Sequence, residues 1–219
     1  ANSSGMAGVH MDHATFTATI DPAFGERVRH FFRVAERAGV TRMDENQSTL
    51  AEYKETYKNT LQGEVVHFKP EPAFVPGTVH PGIAFQYVEG TWDKVPDFAS
   101  LSPTAVGVLP TIGINVSKQD GEYALSFEGL IDVPQDGVYT FYAESNDGSR
   151  LYINGKEIVD NDGPHQTETR AGIVALKQGY HRIKLDYFQA GMRFALTAYW
   201  SGPGFEKTPI PAERLFHEG

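Results

Sequence analysis

Between Tyr139 and His165 the sequence reads YTFYAESNDGSRLYINGKEIVDNDGPH, and Asn146, Asp147, Asp160, Asn161 and Asp162 offer carboxylate or carboxamide oxygens at the ends of apolar runs. A hard cation such as Ca2+ takes about six to eight oxygens of these kinds. The spacing is not that of an EF-hand loop, because the regular acidic positions and the distal glutamate are missing. The same residues also suit turns. Asp and Asn tolerate positive φ and bond their own backbone, and Asn154-Gly155 is a tight-hairpin pair.

A carbohydrate site needs an aromatic platform and planar hydrogen-bonding groups, and Trp92, Tyr142, His165 and Arg193 fall near expected loop ends. Trp92 and Trp200 suit an apolar core equally well. Signals for catalysis are sparse. The eight histidines show no zinc-protease spacing, and no nucleophile elbow, P-loop or dinucleotide fingerprint occurs. Glu128, Glu144 and Asp186 lie on expected strands, where carboxylates ordinarily meet solvent. The chain reads as not an enzyme.

Composition narrows the partner. A formal charge of −9 argues against nucleic acid, whose binding needs a basic surface. No apolar run reaches the roughly 20 residues that span a bilayer. The absence of cysteine excludes disulfides and thiol chemistry. Glycans of neutral sugars, cations and proteins remain. Residues 1–20 lack a period, so they read as a disordered tail or vector remnant, with a secretory signal already removed in the first case. The sequons at Asn2, Asn46 and Asn115 carry little information.

The elements that would hold these residues follow from periodicity. Phe24, Val28, Phe31, Phe32 and Ala35 recur at helical spacing after Asp21-Pro22, and Leu50, Tyr53, Tyr57 and Leu61 form a second stripe before Gly63. A helical hairpin is expected over 21–66. Four prolines between Pro70 and Pro81 mark an extended linker over 67–82. From residue 83 to 219 the period becomes two: IAFQYVEG, YALSFEGLIDV, VYTFYAES, RLYING, KEIVD, AGIVAL, HRIKLDYF and FALTAYW are short, aromatic and β-branched. In HRIKLDYF, Ile183, Leu185 and Tyr187 face one way and Arg182, Lys184 and Asp186 the other. The expected fold is mainly β, an antiparallel β-sandwich preceded by the helical hairpin.

EGLIDVPQDGVYTFYAESNDGSRLYINGKEIVDNDGPH, then GIVALKQGYHRIKLDYFQAG and LTAYWSGPGFEKTPIPAERLF, resemble the PA14 domain, with PGIAFQYVEGTWDKVPDF resembling its opening. The resemblance covers about residues 81 to 217. It implies a carbohydrate-binding or carbohydrate-associated β-sandwich of the kind found in bacterial glycoside hydrolases, adhesins and yeast flocculins. In lectin members an Asp-Asp pair joined by a cis peptide holds Ca2+, which in turn holds sugar hydroxyls. The matching pair here is Asn146-Asp147, short of one carboxylate. The second lectin segment maps onto Gln189, Ala190, Gly191 and Met192.

The implied metal set is therefore Asn146, Asp147, Gln189 and Gly191. The implied sugar set is Asn146, Asp147, Gln189, Arg193, Trp92 and His165. The implied setting is secreted, periplasmic or cell-surface in a bacterium, with a glycan or a catalytic domain of the same parent protein as partner. The alternatives are an architectural module packed on such a domain and a glycoside hydrolase in its own right.

Overall fold

The computed structural model describes residues 9–20, 66–115, 122–191 and 193–219, together with Glu26, His30, Arg33, Val34 and Arg37. The chain divides into two compact units, Ala1–Lys69 and Pro70–Gly219. The helical hairpin expected over 21–66 falls almost wholly outside the described residues. Among the described residues no helix is long and apolar enough to cross a membrane.

In the first unit, residues 9–20 of the expected disordered tail are instead ordered as two strands. β1 (Val9–Asp12) and β2 (Thr17–Ile20) pair antiparallel, and β3 (Val66–His67) extends the sheet in the order β1-β2-β3. Asp12 closes the turn by accepting the amides of Ala14 and Thr15. Met11 and Ala18, opposite each other in register, are buried. Strands this short show no recognisable period in sequence.

The second unit begins inside the expected proline linker. The backbone of Glu71 bonds Ala175 and Lys177, and Phe74 bonds Tyr180, so the extended segment lies along the unit instead of leading away from it. β4 (Val79–Pro81) is already a sheet strand. The linker is thus shorter than expected. Proline lacks one donor, but its carbonyl and its neighbours still pair at a sheet edge.

Two antiparallel sheets follow. The larger contains β4, β5 (Ile83–Glu89), β6 (Ala105–Leu109), β7 (Tyr123–Val133), β9 (Ser149–Ile153), β10 (Lys156–Asn161), β12 (Gly179–Gln189) and β15 (Leu215–Glu218). Its main path is β10-β9-β12-β7-β15-β4, with β5 beside β7 and β6 beside β5. The smaller has the order β11-β8-β13-β14, from β11 (Glu168–Leu176), β8 (Gly137–Asn146), β13 (Ala195–Gly202) and β14 (Phe205–Pro209).

Alternation supplies the core. Tyr123, Leu125, Phe127, Ile131 and Val133 of β7 and Ile183, Leu185 and Tyr187 of β12 meet Tyr139, Phe141 and Ala143 of β8 and Leu196, Ala198 and Trp200 of β13. Each large side chain buried there is worth about 1.5–3 kcal/mol. Trp200 stacks on Tyr139 with ring centroids 5.7 Å apart.

Asn154 and Gly155 take positive φ, as the hairpin between β9 and β10 requires. The register then shifts between Glu157 and Val159, a bulge at Ile158. The carbonyl of Ile158 sits over Gly172 of β11, where no Cβ would fit. Two strands from opposite sheets touch backbone to backbone there.

Candidate functional site

The NDGS segment is not a hairpin turn. It carries the chain from β8 in the smaller sheet to β9 in the larger one. The segment between β10 and β11 crosses back, and the segment between β12 and β13 does the same. Pairing of Asn146 with Ala195, Ser145 with Glu168, and Ser149 with both Asn161 and Tyr187 brings all three crossings to one end of the sandwich.

The Asn146-Asp147 peptide at this end is cis. Both side chains are largely buried. Asp147 does not close its own turn but ties the other two crossings: Oδ1 accepts the His165 amide at 3.2 Å and Oδ2 the Ala190 amide at 2.9 Å. With the Asn146 carboxamide oriented so that both ends are satisfied, Nδ2 donates to the Arg193 carbonyl at 2.9 Å and Oδ1 accepts the Thr167 amide at 3.2 Å.

Gln189 is fully buried at the end of β12. Its Nε2 donates to the carbonyls of Gly191 at 2.7 Å and Arg193 at 2.6 Å. The Tyr187 hydroxyl lies 2.6 Å from the Asn146 carbonyl oxygen and 2.8 Å from Gln189 Oε1. Burial pushes the pKa of that hydroxyl well up, so it stays a donor. Gly191 and Arg193 are exposed at the rim and His165 is half-buried beside them. The His165 ring is turned toward carbonyls, with Nε2 2.9 Å from Asn161 O and Nδ1 2.7 Å from Gln166 O.

The structure therefore gathers Asn146, Asp147, Gln189, Gly191, Arg193 and His165, while Trp92 belongs to an apolar cluster that reaches this end through Phe188 and Ala190. Trp92 packs with Val88, Phe98, Ala124 and Phe188 in a second apolar cluster, its ring against Gly90. Tyr142 lies on the outer face of the smaller sheet, where Lys207 Nζ sits 4.8 Å from its ring and 4.4 Å from that of Tyr199. Met192 lies outside the described residues.

The acidic run at 160–162 has a different owner. Arg150, which sequence reasoning passed over, places Nη2 2.9 Å from Asp162 Oδ2, Nε 3.7 Å from Asp160 Oδ1 and Nη1 3.6 Å from Glu157 Oε2. Asp162 Oδ1 also accepts the amides of Val95 at 2.7 Å and Gly163 at 2.8 Å. Tyr187 and Thr167 were missed as well.

The donor set does not fit Ca2+. A calcium ion needs about six to eight free oxygens. Here the one carboxylate accepts two amides, and the Gly191 and Arg193 carbonyls accept N–H groups from Gln189 and Asn146. Among the described residues no group of three or more His, Cys, Asp or Glu could hold a metal ion.

The strand carboxylates are divided between the two sheets. Glu144 lies on β8 in the smaller sheet, bonded to Thr169 and Tyr199, whereas Glu128 and Asp186 lie on β7 and β12 in the larger one. Asp186 accepts Ser126 Oγ at 2.6 Å and Lys184 Nζ at 2.8 Å. Burial raises its pKa above the usual carboxylate range against the pull of those bonds.

Residues 113–214 match the family model described as PA14 domain. The anti-sigma-I factor RsgI3 of Acetivibrio thermocellus is 30% identical over 100 residues, 45% of this chain and 16% of that protein. A beta-hexosaminidase of Porphyromonas gingivalis is 26% identical over 153 residues, 62% of this chain and 19% of that protein. The chain thus spans less than a fifth of the length of these curated relatives. A solved PA14 sugar-binding domain from an RTX adhesin superposes with a TM-score of 0.54 at 16% identity, over 63% of this chain and 98% of that one.

Proposed function

We propose that the chain, whose residues 113–214 match the PA14 domain family model, is a non-catalytic carbohydrate-binding module of an exported, glycan-active bacterial protein. The observation that carries the reading is the meeting of three inter-sheet crossings around Asn146, Asp147 and Gln189, with Gly191, Arg193 and His165 at the rim. Loops held on a rigid sandwich are where such modules bind. Arg193 supplies planar donors, and Gly191 leaves room for a sugar ring to approach the backbone. The likeness to a sugar-binding PA14 domain and to part of a beta-hexosaminidase supports the same direction.

A glycan array followed by calorimetry on the best hit tests this. Binding that is weakened at least tenfold by Arg193→Ala is the expected result. No binding to any glycan on a broad array sinks the proposal.

A second reading, a module that packs on a neighbouring domain of its parent, is favoured by one observation. Val106 and Val108 of edge strand β6 are 66% and 48% exposed beside a groove of about 490 Å3 on the outer face of the larger sheet. Exposed apolar side chains rimmed by polar ones, here Glu128, Arg182 and Glu218, are a feature of interfaces. If the isolated chain binds no hydrophobic dye and stays monomeric at high concentration, this reading fails.

A further inference from the structure

We infer that the carboxamides of Gln189 and Asn146 organise the ligand loop in the place of a divalent cation, so that recognition at these crossings runs without metal. The part about recognition rests on the carbohydrate reading above; the part about the loop stands on geometry alone.

A cation in such a loop would gather carboxylate and carbonyl oxygens from two crossings. Here N–H groups gather them. Gln189 Nε2 spends both hydrogens, one on Gly191 O at 2.7 Å and one on Arg193 O at 2.6 Å. Asn146 Nδ2 takes the second lone pair of Arg193 O at 2.9 Å. A carbonyl has two lone pairs, so Arg193 O has none left for a metal. The Asp147 carboxylate is drawn to the amides of His165 and Ala190. An approaching cation would find Arg193 O closed, and would share Gly191 O and both Asp147 oxygens with N–H groups already bonded there.

The clamp is fixed from behind. The single hydrogen of the Tyr187 hydroxyl lies between two acceptors, the Asn146 carbonyl at 2.6 Å and Gln189 Oε1 at 2.8 Å. Gln189 therefore sits in one orientation, fully buried, with both amide hydrogens used. Asn at position 146 belongs to the same design, since a carboxylate there could not donate to Arg193 O. Gln189 is in this sense a positioning residue for the rim that carries Gly191 and Arg193.

The test uses the whole chain and CaCl2 or EDTA as probes, read by melting temperature and by calorimetric calcium titration. For the wild type, neither probe should move the melting temperature, and the titration should be silent. Gln189→Glu combined with Asn146→Asp replaces two donors by carboxylates facing the same carbonyls. That variant should melt lower than wild type in EDTA and regain the loss in millimolar CaCl2, whereas Gln189→Met should melt lower and stay there. A merely structural glutamine predicts no calcium rescue in either variant.

Should the double variant fail to fold, Gln189→Glu alone and the wild-type titration decide the matter. Micromolar calcium binding by the wild type, or glycan binding abolished by EDTA, overturns the proposal. A wild type that is calcium-silent but binds no glycan refutes the recognition half and supports the loop half.

Discussion

Arg150 Nη2 lies 2.9 Å from Asp162 Oδ2, and the pair exists because two strands have slipped past each other by one residue. An unbroken hairpin from Asn154-Gly155 would set Arg150 opposite Val159. The bulge at Ile158 sets it opposite Asp160 instead, within reach of Asp162 on the next crossing. One irregular residue thus sets a cation among three carboxylates.

Arg150→Met should expose that dependence. Asp162 is nearly buried and its carboxylate would lose its charged partner, while the amides of Val95 and Gly163 still hold it. Removing one partner of a partly shielded pair costs about 1–3 kcal/mol. For a chain of this size that lowers the melting temperature by roughly 2–4 °C per kcal/mol, which thermal and urea unfolding will read. Wild-type stability in the variant would refute the role.

Tyr187→Phe removes a buried hydroxyl whose one hydrogen is shared between the Asn146 carbonyl and Gln189 Oε1. The cost of leaving such acceptors unmet is about 1–3 kcal/mol. Faster amide exchange should then appear at Ala190 and Gly191 while the core strands stay protected. Uniform exchange throughout the sandwich would mean a general loss of stability instead.

His181 predicts a pH dependence. It is fully buried, donating from Nε2 to Lys177 O at 2.7 Å, while Nδ1 accepts from Asn154 Nδ2 at 2.9 Å. That is a neutral ring, and burial pushes its pKa below the usual 6.5. The unfolded chain then binds more protons than the folded one as pH falls below 6.5, so stability falls with it. The raised pKa of Asp186 acts in the opposite sense, strengthening the fold as pH drops toward 4. The comparison with His181→Gln isolates the first effect: the gap between wild type and variant should shrink or reverse between pH 7 and about 5.5. Parallel urea midpoints across that range would count against it.

Gly172→Ala places a methyl group against the carbonyl of Ile158. Backbone on both sides cannot give way as a flexible side chain would. A loss of more than about 3 kcal/mol is expected, or failure to yield soluble protein. Gly155→Ala is the control. It has open space around it, so its milder loss of about 1 kcal/mol comes from positive φ alone.

Much of this architecture was legible. The alternation of Ile183, Leu185 and Tyr187 gave the inner face of β12, and Asn154-Gly155 gave the hairpin between β9 and β10. Asp186 does point away from the core, yet it is buried, because Ser126 and Lys184 close over it. Periodicity reports direction and not depth.

The site was legible only as a set of residues. Nothing in NDGS distinguishes a turn within a sheet from a crossing between sheets, and that difference decides whether Asp147 bonds its own backbone or that of residues 18 and 43 positions away. The Arg150 pairing was hidden by the bulge, and the packing of Trp92 by a fold-back of its loop onto Phe188. The short strands β1 and β2 were missed because four residues define no period.

The contact between Ile158 and Gly172 also governs how the molecule meets its neighbours. β10 and β11 are edge strands of different sheets, and by pressing against each other they screen the hydrogen-bonding rims that would otherwise template fibril growth. Among the described residues, no further strand pairs with the outer edges of β4, β6 and β14. In a string of modules, side-by-side sheet extension would then start from those edges, and the rim where β10 meets β11 would stay inert.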